Sequence, residues 1–158
     1  MKLTELVDQR CIAADLAARD RAAAIRELVQ LFGTAGFVAE DDVEKITKSI
    51  LSRERSRGTT GFGKGVALPH AKIDGLPRVM AAVGRSAHGI DYDSHDGQPV
   101  FGIILVLSPT DQTETHLKAM ELVYKQLQGE KFRKFLRQSD TPEKIYDLLR
   151  EADERLLT

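Results

Sequence analysis

Ile25, Leu28, Val29 and Phe32 recur at intervals of three and four, and Val43, Ile46, Ile50 and Leu51 repeat that spacing. Each set falls on one face of an amphipathic helix. Asp20 is placed to cap the first helix, and Gly33 and Gly36 to end it. The second runs from about Asp41 to Ser52 and leaves Arg53 at its C-terminal end, where the helix dipole favours a cation. Short apolar runs near Arg10–Ala13, at Val66–Leu68 and at Val79–Arg85 read as strands. Pro99–Ser108 differs from these because Val100, Phe101, Ile103, Ile104, Leu105, Val106 and Leu107 leave almost no polar alternation. A strand of that kind is buried on both faces and implies helices on either side.

Beyond it, Asp111-Gln112-Thr113-Glu114 reads as a capping box that uses Asp. The helix it opens carries His116, Met120, Val123 and Leu127 at helical spacing, which puts His116 near a helix N-terminus. Phe132, Phe135 and Leu136 mark a further short helix. Thr141-Pro142-Glu143 opens a last one that buries Ile145, Leu148, Leu149 and Ala152. The sum is an α/β sandwich without internal repeats, read as one domain over residues 1–158 with its core at about 10–152.

The composition narrows what such a domain does. A chain of 158 residues, 42% apolar and 30% charged, is long enough for one core, and no linker-like stretch divides it. No run approaches the roughly 20 apolar residues of a membrane span. With Glu5 and Asp8 near its start, the N-terminus lacks the apolar centre of a signal peptide, so a cytoplasmic location is expected, without membrane insertion. Cys11 stands alone and reads as a small, partly buried apolar residue. A net charge of −1 argues against nucleic acid as a partner. Yet Lys48, Arg53, Arg55, Arg57, Lys64 and Lys72 surround a glycine-rich loop with only Glu54 opposing them. That patch is either an ordinary solvated helix end or a site for a small anion or an acidic protein.

The loop itself, Gly58 to Gly65, leads through Val66-Ala67-Leu68-Pro69 to His70. Glycines let a backbone approach an anion closely, and Pro69 fixes the chain direction just before the imidazole. Gly58 and Gly63-Lys64 match the spacing of a nucleotide-binding P-loop. Gly65, however, replaces the hydroxyl residue that would hold magnesium, and the loop runs from helix to strand rather than the reverse. Asp91 to Gly97 resembles a calcium loop but carries Asp96 where the turn glycine belongs, so it reads as a turn between strands. His88 and His95 in this polar stretch read as solvated loop histidines. No histidine pair has zinc-ligand spacing, and no cysteine pair assists, so no metal or other cofactor is expected. Singly, His70 and His116 have structural readings. Together with a glycine loop and a positioned Arg53 they are the parts needed to put a phosphoryl group on a nitrogen nucleophile.

Arg53-Glu54, Thr60-Gly61-Phe62-Gly63-Lys64-Gly65-Val66-Ala67-Leu68-Pro69-His70, Asp91-Tyr92-Asp93, Gly97-Gln98-Pro99-Val100 and His116-Leu117 together resemble a known family. It is the fructose/mannitol-type enzyme IIA of the bacterial phosphoenolpyruvate-dependent phosphotransferase system, and its nitrogen-regulatory members most of all. The resemblance implies a mixed β-sheet flanked by helices on both faces. It also implies that His70 is phosphorylated, that His116 is the second active-site histidine, that Arg53 is the nearby guanidinium, and that Thr60, Gly61, Gly63 and Gly65 belong to a phosphate-binding loop. The implied donor is a histidine phosphocarrier protein. The implied acceptor is an enzyme IIB or a regulatory target, with either sugar transport or nitrogen regulation as the outcome. Phe62 and Leu68 stand where isoleucines are more usual, and Phe62 alters the surface a partner meets. His116, at the positive end of a helix, is expected to be neutral and to donate an N–H to the phosphoryl group. The competing expectation is a binding module of the same fold in which His70 is only structural.

Overall fold

The apolar run forms the strand about which the sheet is built. In the computed structural model, which describes residues 1–155, Val100–Pro109 is strand β5, with antiparallel β4 (Met80–Ile90) on one side. On the other side β2 (Val66–Ala67) and β3 (His70–Ile73) pair with it in succession, both parallel. Strand β1 (Val7–Ala13) lies parallel outside β4, which completes a mixed sheet.

Side chains alternate across β5. Ile103, Leu105 and Leu107 enter a core with Ile25, Leu28, Phe32 and Ile50 from α2 (Arg21–Thr34) and α3 (Val43–Arg57). Ile104 and Val106 enter the opposite core. There they meet Val123, Phe132 and Leu149 from α4 (Thr113–Gln128), α5 (Glu130–Gln138) and α6 (Pro142–Asp153). Each of these buried side chains contributes about 1.5–3 kcal/mol through removal from water. The sheet is thereby covered on both faces, as expected for a strand without polar alternation.

Several boundaries differ from the sequence reading. Helix α3 continues to Arg57, so Arg53 sits within the helix rather than at its end. A 3-10 turn at Glu40–Asp42 precedes it. Gly33 lies inside α2, where a Cβ would come within 2.8 Å of Val43, while the chain leaves the helix at Ala35 and turns at Gly36 with φ +81°. Asp111 does not cap α4: Gln112 holds that position and makes no side-chain cap hydrogen bond. By contrast Asp20 accepts from the Ala23 N–H, and Thr141 from the Lys144 N–H, as their positions suggested.

A short helix, α1 (Leu3–Leu6), was not anticipated. The Asp153 carboxylate on α6 accepts hydrogen bonds from the Leu3 and Thr4 amides and the Thr4 hydroxyl. Leu3, Leu6 and Val7 are buried, so the core starts ahead of residue 10. Cys11 is fully buried in β1, and that burial pushes its thiol up to about 11. Among the described residues no helix is long and apolar enough to cross a membrane.

Candidate functional site

Strand β3 positions the histidine. The chain leaves β2 after Ala67, passes Leu68 and Pro69, and rejoins the sheet with His70 opposite Val106 and Lys72 opposite Ser108. His70 and Lys72 therefore share a face of the sheet with Ser108. His116, in the first turn of α4, stands over the same place, and its ring centroid is 5.9 Å from that of His70.

Hydrogen bonds assign distinct nitrogens. His70 Nδ1 lies 3.0 Å from the Leu68 carbonyl oxygen, which can only accept, so Nδ1 carries the proton. The lone pair of the neutral ring is then on Nε2. His116 Nδ1 lies 2.6 Å from the hydroxyl oxygen of Ser108, a fully buried residue of β5. Burial lowers the basicity of His70, and the charge of Arg53 adds to this against the opposing pull of the Leu68 carbonyl and Glu54. His116 is lowered too, first by burial and then by the charges of His70 and Lys72. Both rings are held toward the neutral form.

Arg53 approaches from α3 with its neighbour Glu54, whose side chain is completely buried. Glu54 Oε1 accepts from the Thr60 amide and hydroxyl, each at 3.0 Å. With its own hydrogen committed there, the Thr60 hydroxyl receives the Tyr92 O–H at 3.0 Å. Glu54 Oε2 is 3.6 Å from Arg53 Nη1, beyond hydrogen-bond reach, and both atoms are buried without a hydrogen-bond partner. The two form an ion pair without a hydrogen bond, so the Glu54 carboxylate is the anion that this nitrogen faces.

Part of the glycine loop is committed to internal bonds. The Thr60 amide is spent on Glu54 and the Gly61 amide on the Thr59 hydroxyl, so these two residues do not offer a free N–H to an anion. A Cβ on Gly61 would meet Ser94 at 2.7 Å and Tyr92 at 2.8 Å. Gly63 and Gly65 take φ of +107° and +80°, and the Gly65 carbonyl accepts from Phe101 and Gly102 at the start of β5. Through Thr60 and Gly61 the loop is braced against α3 and the 91–97 turn on its way to His70.

Three residues of this arrangement had no assigned role in the sequence reading. Ser108 carried a signal, as the lone hydroxyl closing an apolar run. Glu54 reads in the sequence as a charge opposing the basic patch and as part of the Arg53-Glu54 motif, without a role of its own. Lys72, whose ammonium lies 3.4 Å from the Thr113 hydroxyl at the start of α4, was counted only within that patch. His88 and His95 stay away from the pair. His88 lies on β4 rather than in a loop and donates to the Ala18 carbonyl, while His95 donates to the Thr59 carbonyl. Among the described residues no three His, Cys, Asp or Glu side chains gather as metal ligands would.

Similarity to known proteins fits a site built for histidine chemistry. Over 153 residues the chain is 33% identical to the fructose-specific EIIABC component of the phosphotransferase system of Bacillus subtilis (strain 168). The match takes in 97% of this chain but only 24% of that relative, so the chain spans about a quarter of its length. A nitrogen regulatory protein of Bradyrhizobium diazoefficiens is 32% identical over 149 residues, covering 94% of this chain and 95% of its own. The crystal structure of nitrogen regulatory protein IIA-Ntr from Neisseria meningitidis matches with a TM-score of 0.80 at 25% identity, over 92% of this chain and 97% of that one. The model of the EIIA 2 family of the phosphoenolpyruvate-dependent sugar phosphotransferase system matches residues 5–152, and with a histidine pair, an arginine and a mixed sheet arranged as above, this chain belongs to that family.

Proposed function

We propose that the domain is a phosphohistidine relay. Its donor is a histidine phosphocarrier protein, and its acceptor an enzyme IIB or a regulatory target. The observation that carries this reading is the histidine pair itself: the His70 Nε2 lone pair is left free by the Leu68 carbonyl, the His116 ring stands 5.9 Å away between centroids, and the charge of Arg53 acts on His70. In the transfer step the lone pair of His70 Nε2 attacks the phosphorus. The N–P bond of the donor breaks, and its electron pair returns to the donor imidazole. One N–P bond replaces another, so high transfer potential is retained for the next acceptor.

Catalysis of this kind rests on alignment and on offsetting charge at the equatorial oxygens. Arg53 supplies that charge. Ser108 donates its O–H to His116 Nδ1, which leaves the proton of the neutral ring on Nε2 and makes His116 a donor to the phosphoryl group. Glu54 is a positioning residue: it ties the Thr60 end of the loop to α3 and lies alongside Arg53. The reading puts the domain in the cytoplasm with its phosphoenolpyruvate-fed donor.

Incubation with phosphoenolpyruvate, enzyme I and the phosphocarrier is expected to give an acid-labile phosphoryl adduct on the wild-type chain and none on His70→Ala. Labelling that persists in His70→Ala refutes the assignment. A binding module is the outcome if neither protein is labelled while partner affinity is unchanged by the donor system.

A further inference from the structure

Away from the histidine pair, a cleft of about 1050 Å³ opens between the start of β5, the glycine loop and α5. Five cationic residues line it: Lys64, Arg85, Arg133, Lys134 and Arg137. The carboxylates on its wall are Asp96 and Glu130. Asp96 is already occupied, since it accepts from the Lys64 and Gln98 amides. None of the five cations has a salt-bridge partner among the described residues. In a chain whose net charge is −1, this is a strong local excess of positive charge inside a concavity.

The three arginines are oriented mainly by neutral groups, although the charge of Arg85 also acts on the nearby Asp140 carboxylate. Arg85 donates from Nε to the Arg137 carbonyl and from Nη1 to that of Ala14. Arg133 Nη1 donates to the Leu127 and Gln128 carbonyls at the end of α4. The Arg137 guanidinium carbon lies over Phe101, 3.6 Å from the ring centroid, a cation–π contact that holds the side chain against the cleft wall. Main-chain carbonyls and an aromatic face orient these side chains without neutralising them, and their remaining N–H groups are free to bind an anion.

We infer that this cleft is a binding site for a small polyphosphorylated molecule of nucleotide size, separate from the phosphoryl-transfer site. The volume suits a ligand of that class. Arg133 and Arg137 are one helical turn, about 6 Å, apart along α5, with Lys64 across the cleft, a spread that a chain of phosphates bridges and a single phosphate does not. Lys64, Lys134 and Arg137 are exposed and Arg85 and Arg133 half-buried, so the positive charge runs from the surface into the cleft. The site is distinct from the histidine pair by register: Gly102 in the cleft wall pairs with Val66, and Val106 with His70, which separates them by about 13 Å along β5.

The test is calorimetric titration of the full chain with inorganic tripolyphosphate, ATP and orthophosphate in low-salt buffer without magnesium. One saturable site is expected for tripolyphosphate and ATP, weakening as salt is raised, with orthophosphate at least about 10-fold weaker. Lys64 and Lys134 are exposed, so Lys64→Glu and Lys134→Glu leave folding intact. Each is expected to weaken tripolyphosphate binding about 10-fold, as loss of a charged hydrogen bond does. An ATP advantage over tripolyphosphate that disappears in Phe101→Leu assigns base stacking on the Arg137–Phe101 pair; equal affinities assign recognition of the phosphate chain alone. Absence of saturable binding, binding undiminished in both lysine variants, or binding abolished by His70→Ala overturns the inference. The last outcome would locate the anion at the histidine pair without touching the relay reading.

Discussion

The chemistry of His70 follows from its being less basic than a histidine in water, held below the ordinary value of 6.5 chiefly by burial. His116 is displaced in the same direction, also by burial first. A folded state with such imidazoles binds fewer protons than the unfolded chain between the depressed values and 6.5. Their contribution to stability is complete above 6.5, declines as pH falls through that window, and is lost below the folded values. We predict that urea midpoints fall between pH 7.5 and 5.5, and that the fall is shallower in a His70→Gln/His116→Gln double variant. The nucleophile obeys the same sign, so the rate of phosphorylation should hold from pH 7.5 to below 6.5 before it drops. A half-loss of rate above pH 6.5 would contradict a desolvated nucleophile. His70 was legible in the sequence because proline and glycines frame it. Ser108 and Glu54 were harder to read, because their roles arise only when β3 pairs with β5 and α3 folds over the loop.

Helices with a full apolar stripe and strands with an uninterrupted run were recovered from periodicity alone, since burial dictates those patterns. Strand β3 was not, because His-Ala-Lys-Ile carries neither an apolar run nor a clean alternation, and it is a strand only because β5 offers an unpaired edge. Short helix α1 escaped for a similar reason, as its amides are satisfied by an aspartate 150 residues away. Strand β4 was read too short at its C-terminal end, which turned His88 into a loop residue. Inside β4, Gly84 shows how closely the sheet and α2 are fitted. A Cβ there would sit 2.7 Å from Leu16 and 2.8 Å from Leu28, both fully buried and unable to retreat into solvent. We predict that Gly84→Ala destabilises the domain by about 1–3 kcal/mol through overpacking. Chemical denaturation reads this directly, and a cost near zero would mean that the two leucines have room to shift.

The proposed relay must also dock, and the exposed apolar side chains on α4 offer a place for it. Large hydrophobic residues are nearly all internal, yet Leu117 and Tyr124 remain 60% and 49% exposed. Both lie on α4, one helical face apart by seven residues and immediately beyond His116. The Tyr124 ring packs against Phe62 from the glycine loop, with centroids 5.1 Å apart, so two elements that frame the histidine pair share one apolar surface. Phe62 thus extends that surface. Exposed apolar area beside a reactive nitrogen orients a protein donor without stabilising the fold. Leu117→Ser and Tyr124→Ser should therefore each raise the KM for the phosphocarrier about 10-fold, the equivalent of ~1.4 kcal/mol of contact energy, with melting unchanged in Leu117→Ser and lowered slightly in Tyr124→Ser by loss of the Phe62 contact. Phosphoramidate is small enough to reach His70 unaided, and its rate of transfer should be the same in both variants as in the wild type. If the phosphocarrier KM does not move, the donor docks elsewhere; if transfer from phosphoramidate falls in parallel, the two side chains act on the chemistry and not on docking.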